Sequence, residues 1–171
     1  MDEIFKRRSV RSFTSEPVGP EKTQQLLRAA MQAPSACNTQ AWEFIAVTDR
    51  SMLDRIAESH PYAKMCREAT LAIIVLACPD MQSGISDGFF PQDCAAVTEN
   101  ILLEAVSLGL GAVWCGVYPK ERLISLMREL MGIPEDRIPF NIIAVGYPRT
   151  EPKVVDRYDP AKVHYDRYGK R

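Results

Sequence analysis

The sequence predicts a layered fold of α-helices packed on a β-sheet. Two observations carry this. Segments rich in β-branched and aromatic residues alternate with stretches whose apolar residues recur at helical spacing, and glycine or proline marks most boundaries between them. The 171 residues suit one domain over 1–171. A chain of that size buries about 70% of the surface its unfolded form exposes.

Pro20 after Gly19 suits a first helical position, and Leu26, Leu27, Ala30 and Met31 form one apolar stripe before Pro34. Trp42–Thr48 follows as a strand. Leu71–Ala77 is apolar on both faces, which predicts a central strand covered on each side. Pro91-Gln92-Asp93 starts another helix, with the acid in the first turn where the helix dipole favours it. Val97, Ile101, Ala105 and Leu108 continue that helix, and Gly109 and Gly111 close it. Ala112–Val117 is the third strand. A further helix carries Leu123, Leu126, Met127 and Leu130 and stops at Gly132, with Ile133 as the apolar contact of a glycine cap. Phe140–Val145 is the last strand. Pro139 cannot donate to a ladder, so this strand begins there or lies at an edge.

The segment from Gly146 to Arg171 is different. It is poor in apolar residues, rich in charge, and holds Tyr147, Tyr158, Tyr165 and Tyr168. Such a segment cannot form its own core, so it is disordered or lies on something else, with a partner subunit as one support.

Hydrophobic residues make up 46% of the chain and charged residues 25%, the balance of a soluble globular protein. With 21 basic and 22 acidic side chains the formal net charge is -1, which argues against non-specific nucleic-acid binding. The start at Met1-Asp2-Glu3 does not resemble a secretory signal, and the longest apolar run, Leu71–Cys78, is too short to span a bilayer. Cys37, Cys66, Cys78, Cys94 and Cys115 form no C-x-x-C pair, so neither a metal site nor a disulfide framework is expected. Reduced thiols in a cytoplasm are the simplest reading.

Three clusters could carry chemistry. Arg7-Arg8-Ser9-Val10-Arg11 places three guanidinium groups in five residues, which suits the oxygens of a phosphorylated ligand, although on this string alone a solvated basic helix end is the favoured reading. Pro34-Ser35-Ala36-Cys37-Asn38-Thr39-Gln40-Ala41-Trp42 is a loop of small hydrogen-bonding side chains, fit for a polyol or heterocyclic edge or for bonding its own backbone. Gly109-Leu110-Gly111-Ala112-Val113-Trp114-Cys115-Gly116 lacks the G-x-G-x-x-G spacing and runs helix to strand, so it is no dinucleotide fingerprint. Gly116 at a strand end would let a flat ligand approach the backbone, although a plain tight turn also explains it. His60, before Pro61 in a loop, and His164 in the tail read as surface histidines, and the cysteines as packing. Phe89 and Phe90 suit either a pocket wall or the core.

Taken in order, these clusters resemble the nitroreductase family over nearly the whole chain. R-R-S-x-R corresponds to Arg7–Arg11 and P-S-x-x-N-x-Q-x-W to Pro34–Trp42. E-N-I-L-L-E-A begins at Glu99 and leads into G-L-G-A-V-W-x-G ending at Gly116; a G-Y-P then opens the tail with V-H-Y-x-R-Y at Val163–Tyr168. The resemblance implies an α+β fold with a mixed, mostly antiparallel central sheet flanked by helices, and a tail extending onto a dimer partner. It implies an FMN-dependent oxidoreductase that uses NAD(P)H to reduce nitroaromatics, quinones or similar acceptors, by ping-pong hydride transfer through flavin N5.

In that scheme Arg7 and Ser9 hold the FMN phosphate, Arg8 lies on the phosphate or ribityl side, and Arg11 lies near the N1–C2=O edge. Pro34, Ser35 and Asn38 reach the flavin of the other subunit. The Cys115 and Gly116 backbone faces N5, and Arg157 closes on the phosphate. No side chain is implied as a catalytic acid, base or nucleophile, because the flavin carries the chemistry. Two positions depart from the family: Ala41 stands where proline is frequent, and Val155 where lysine is, leaving Lys153 as possible help for Arg157. A flavin-binding sensor or carrier, or another reductive reaction on the same fold, remains the alternative.

Overall fold

The computed structural model describes residues 2–170. Its elements in chain order are α1 (Glu3–Lys6), α2 (Pro20–Ala30), β1 (Trp42–Val47), α3 (Arg50–Ser59), β2 (Leu71–Ala77), α4 (Phe90–Ser107), β3 (Gly111–Gly116), α5 (Glu121–Met131) and β4 (Ile138–Gly146). The four strands form one sheet in the order β1-β2-β4-β3, and every neighbouring pair is antiparallel. One parallel bridge, Ser9 to Ala112, adds the N-terminal segment to the β3 edge. The α+β fold implied by the resemblance is present.

Alternation along the strands builds two cores, because successive side chains leave a sheet on opposite faces. On one face Ala72, Ile74, Leu76, Val113, Cys115, Ile142 and Ala144 meet Leu53, Ile56 and Ala57 of α3 and Leu123, Ile124 and Met127 of α5. On the other, Leu71, Ile73, Val75, Ile143 and Val145 meet Leu26 and Ala30 of α2 and Val97, Ile101 and Ala105 of α4. Full burial of a side chain such as Ile101 or Met127 stabilises by about 1.5–3 kcal/mol. β2 is buried along its whole length, as its two-faced apolar pattern predicts.

Several boundaries follow from local chemistry. Gly132 adopts a left-handed φ of 66° and Ile133 N–H returns to the Arg128 carbonyl at 3.1 Å, the cap expected after α5. Gly109, at φ 72°, ends α4, but Gly111 is not part of that cap. It is the first residue of β3, and a Cβ there would lie 2.7 Å from Val10 Cγ1. α3, which the sequence reading leaves out, is capped by Asp49, whose carboxylate accepts from Met52 N–H at 2.8 Å. β4 does begin beside Pro139, but it lies inside the sheet rather than at an edge. The missing N–H is tolerated because Pro139 faces Leu76, where the β2–β4 register shifts.

Candidate functional site

The N-terminal segment is laid along the edge of the sheet. Val10 N–H donates to the Ala112 carbonyl at 3.0 Å and Thr14 N–H to the Tyr147 carbonyl at 2.9 Å. Glu68 fixes the turn between these contacts, accepting from Phe13 N–H at 3.0 Å and from the Ser12 hydroxyl at 3.1 Å. Those donors, with Arg149 beside them, hold the Glu68 carboxyl below its ordinary pKa. Small residues permit the close approach: Val10 packs on Gly111 and Phe13 on Gly146.

This placement sends the three arginines to different neighbours. Arg7 pairs with Glu99 of α4 at 3.3 Å. Arg8 reaches the tail, donating from Nε to the Lys153 carbonyl and from Nη2 to the Val155 carbonyl, both at 2.9 Å. Arg11 has one weak bond, to the Ser9 carbonyl at 3.3 Å, and enters a cleft of about 430 Å³. That cleft is closed by Tyr62, Trp114, Cys115, Gly116, Tyr118 and Lys120. The side chains of Arg11 and Lys120 make its electrostatic character cationic, since no carboxylate of the described residues lines it.

Of the expected site residues, Arg11, Cys115 and Gly116 therefore come together. Gly116 closes β3, is exposed, and has open space where a Cβ would stand, room for a flat ring over its backbone. Cys115 contributes backbone only. Its side chain turns into the core, the thiol donates to the Tyr62 carbonyl at 3.2 Å, and burial pushes its pKa up to about 11.

Pro34, Ser35 and Asn38 do not line this cleft. They lie on a loop docked at the start of α4, where the buried Asp93 carboxylate accepts from Ala36 N–H at 3.0 Å and from Gln82 Nε2 at 2.9 Å. The loop holds Cys37, Asn38 and Gln40 at φ of 51°, 55° and 50°. Three non-glycine residues in the left-handed region mark a backbone shaped by its surroundings rather than by propensity. Arg157 is exposed on the tail. Phe90 supports the cleft from behind, edge-on to Tyr118 at 5.3 Å, whereas Phe89 is 42% exposed.

One histidine differs from expectation. His60 is fully buried rather than at the surface, because the end of α3 packs beneath β3. Its Nε2 lies 3.1 Å from the Gly116 carbonyl oxygen. Burial lowers its pKa, the bond to Gly116 works against that, and Arg122 adds a further lowering. Tyr62, Tyr118, Lys120 and His60 carry no local sequence signal for this cleft; only Trp114, inside the glycine-rich segment, did.

The profile of the Nitroreductase family matches residues 4–60 and 59–147. A protein of Archaeoglobus fulgidus provisionally named an NADH dehydrogenase/NAD(P)H nitroreductase is 42% identical over 168 residues, covering 96% of each chain. The crystal structure of a provisionally named NADH oxidase from Clostridium acetobutylicum has a TM-score of 0.93 at 44% identity, covering 98% of this chain and 100% of that one. An FMN-dependent nitroreductase from Clostridium difficile has a TM-score of 0.90 at 28% identity, with coverage of 98% and 100%.

Proposed function

The chain belongs to the nitroreductase family, and from that premise we propose that it is an FMN-dependent oxidoreductase using NAD(P)H to reduce nitroaromatics, quinones or similar electron-poor acceptors. The observation that carries this reading is the cleft in which Arg11 stands beside the open backbone of Gly116. FMN bound there would supply the hydride chemistry at N5 of a ping-pong cycle with the nicotinamide. The protein's part is to bind, orient and tune.

Arg11 would stand at the N1–C2=O edge of the flavin, where electron uptake places negative charge and a fixed cation favours the reduced state. Arg7 and Ser9 take the phosphate. Arg8, whose donors are engaged by the Lys153 and Val155 carbonyls, ties the tail to that end of the site, and Arg157, with help from Lys153, would close on the phosphate. Pro34, Ser35 and Asn38 serve the flavin of a second subunit. A homodimer is supported by apolar side chains left exposed outside the two cores: Phe5 at 66%, Ile85 at 87%, Tyr158 at 69% and Tyr168 at 91%. The whole chain acts as one FMN-binding domain. Its five unpaired cysteines suit a reducing cytoplasm, and no helix among the described residues is long and apolar enough to cross a membrane.

An absorption spectrum before and after anaerobic addition of NADH or NADPH tests the reading. A bound-flavin spectrum that bleaches with either donor is expected. Flavin that binds and never bleaches would make the protein a carrier, and failure to bind FMN on reconstitution would remove the proposal.

A further inference from the structure

β3 is an edge strand, so only one side of its backbone is held by the sheet. Ala112 turns its carbonyl away from β4 to accept from Val10. Two-residue alternation then turns the N–H and C=O of Gly116 outward as well. Gly116 is the softest residue at which to leave an unsupported backbone donor, having no Cβ to restrict it.

His60 supplies the missing support. Tyr62 N–H points at Nδ1 at 3.3 Å, and a backbone N–H only donates, so Nδ1 is the acceptor. The ring proton is therefore on Nε2, which donates to the Gly116 carbonyl at 3.1 Å. The N–H of the same peptide group, that of Val117, donates to the Phe140 carbonyl at 3.1 Å, so the plane following Gly116 is held from both ends. The Cys115 thiol donating to the Tyr62 carbonyl adds a second stitch between the same two segments. Both ring nitrogens are engaged and the ring is fully buried, which leaves it neither free to shuttle protons nor open to a substrate.

Resting on the flavin reading above, we infer that His60 is a positioning residue: it fixes the Gly116 backbone so that its outward N–H meets the N5 side of the cofactor. His60 itself touches neither flavin nor substrate. Its contribution is the direction of one donor, and its loss frees the glycine to sample other conformations.

The test uses His60→Phe, which keeps ring volume without a donor, and His60→Gln, whose amide N–H can reach the same carbonyl. In the FMN-free protein, ¹⁵N NMR should show the His60 ring protonated at Nε2 alone, and a single sharp Gly116 amide that broadens in His60→Phe. With FMN, His60→Phe should slow flavin reduction by NAD(P)H on the order of three- to tenfold, the worth of one net hydrogen bond, while KM for the nucleotide stays unchanged. His60→Gln should restore most of the rate. A ring protonated at Nδ1, or a His60→Phe protein with an unaltered Gly116 amide and wild-type reduction, would overturn the inference. If His60→Phe does not fold, the ring protonation of the wild type and the His60→Gln rate still decide. Wild-type protein that binds no FMN would sink the functional reading, yet the FMN-free spectra would still judge the role of His60.

Discussion

Substituting Gly111 by alanine tests how the N-terminal segment is seated. The added Cβ would lie 2.7 Å from Val10 Cγ1 and 2.8 Å from both Val10 Cβ and Cγ2. Carbon atoms in good contact stand about 3.5–4.0 Å apart, so all three approaches are too close. Valine is β-branched, and no single rotamer change removes three carbons at once. The backbone must therefore separate, at the expense of the Val10 N–H bond to Ala112 at 3.0 Å and the Ser9–Ala112 bridge. Overpacking of this kind costs about 1–3 kcal/mol. In a chain of this size each kcal/mol lowers Tm by about 2–4 °C, giving an expected loss of about 2–12 °C.

The displacement also moves Ser9 and Arg11 relative to Gly116, so FMN affinity should fall. Thermal unfolding followed by circular dichroism and a flavin-fluorescence titration measure the two effects. In a Val10→Gly background the same alanine should be accommodated, so a double-mutant cycle should show clear coupling. A Gly111→Ala protein with unchanged Tm and unchanged FMN affinity would refute the packing argument.

Burial pushes the thiols of Cys66, Cys78 and Cys94 up to about 12, whereas Cys37 is exposed. An aromatic disulfide reagent at neutral pH should therefore titrate one thiol per native chain and all five after denaturation, and bound FMN should slow the native reaction if the Cys37 loop serves a neighbouring flavin; several fast native thiols would contradict the buried packing. Glu68, whose folded pKa is lowered chiefly by the Phe13 N–H and then by the Ser12 hydroxyl, contributes stability above its ordinary value of 4.5. That contribution is lost as pH falls through the lower folded value, so the stability gap between wild type and Glu68→Gln should shrink in acid. A gap that stays constant across the carboxylate range would show that Glu68 does not act through its charge.

Some of this was legible in the chain because it depends on neighbours in sequence. β2 announces itself by seven consecutive apolar residues, and α5 stops where a glycine alone accepts the left-handed turn. α3 was equally readable, with Asp49 as cap and Leu53, Ile56 and Ala57 as its stripe, and the polar residues between them hid it. The cleft is another matter. Arg11 and Gly116 belong to separate motifs, and only the docking of the N-terminal segment on β3 brings them together. His60 looked like a loop histidine because its burial is produced by Gly116 and β3, far along the chain. Pro139 marks the start of β4 as its missing N–H suggests, whereas its place inside the sheet rests on a register shift on β2 that has no signature in β4.

The bridge between Ser9 and Ala112 also bears on how the protein assembles. It closes a long loop, joining the start of the chain to a strand that exists only after β4 has paired with it. Contacts of such separation are slow to form, because the entropy of closing the loop is lost before the contact stabilises it. The N-terminal segment is held by more than backbone bonds: Val10 at 8% and Phe13 at 0% exposure belong to the core shared by α3 and α5, so it cannot leave the rim without uncovering that face. Hydrogen exchange should accordingly find the Val10 and Thr14 amides protected together with that core rather than opening on their own. The cation that Arg11 brings to the cleft is therefore set in place by the folded core itself, not by a loose arm that must close over a ligand.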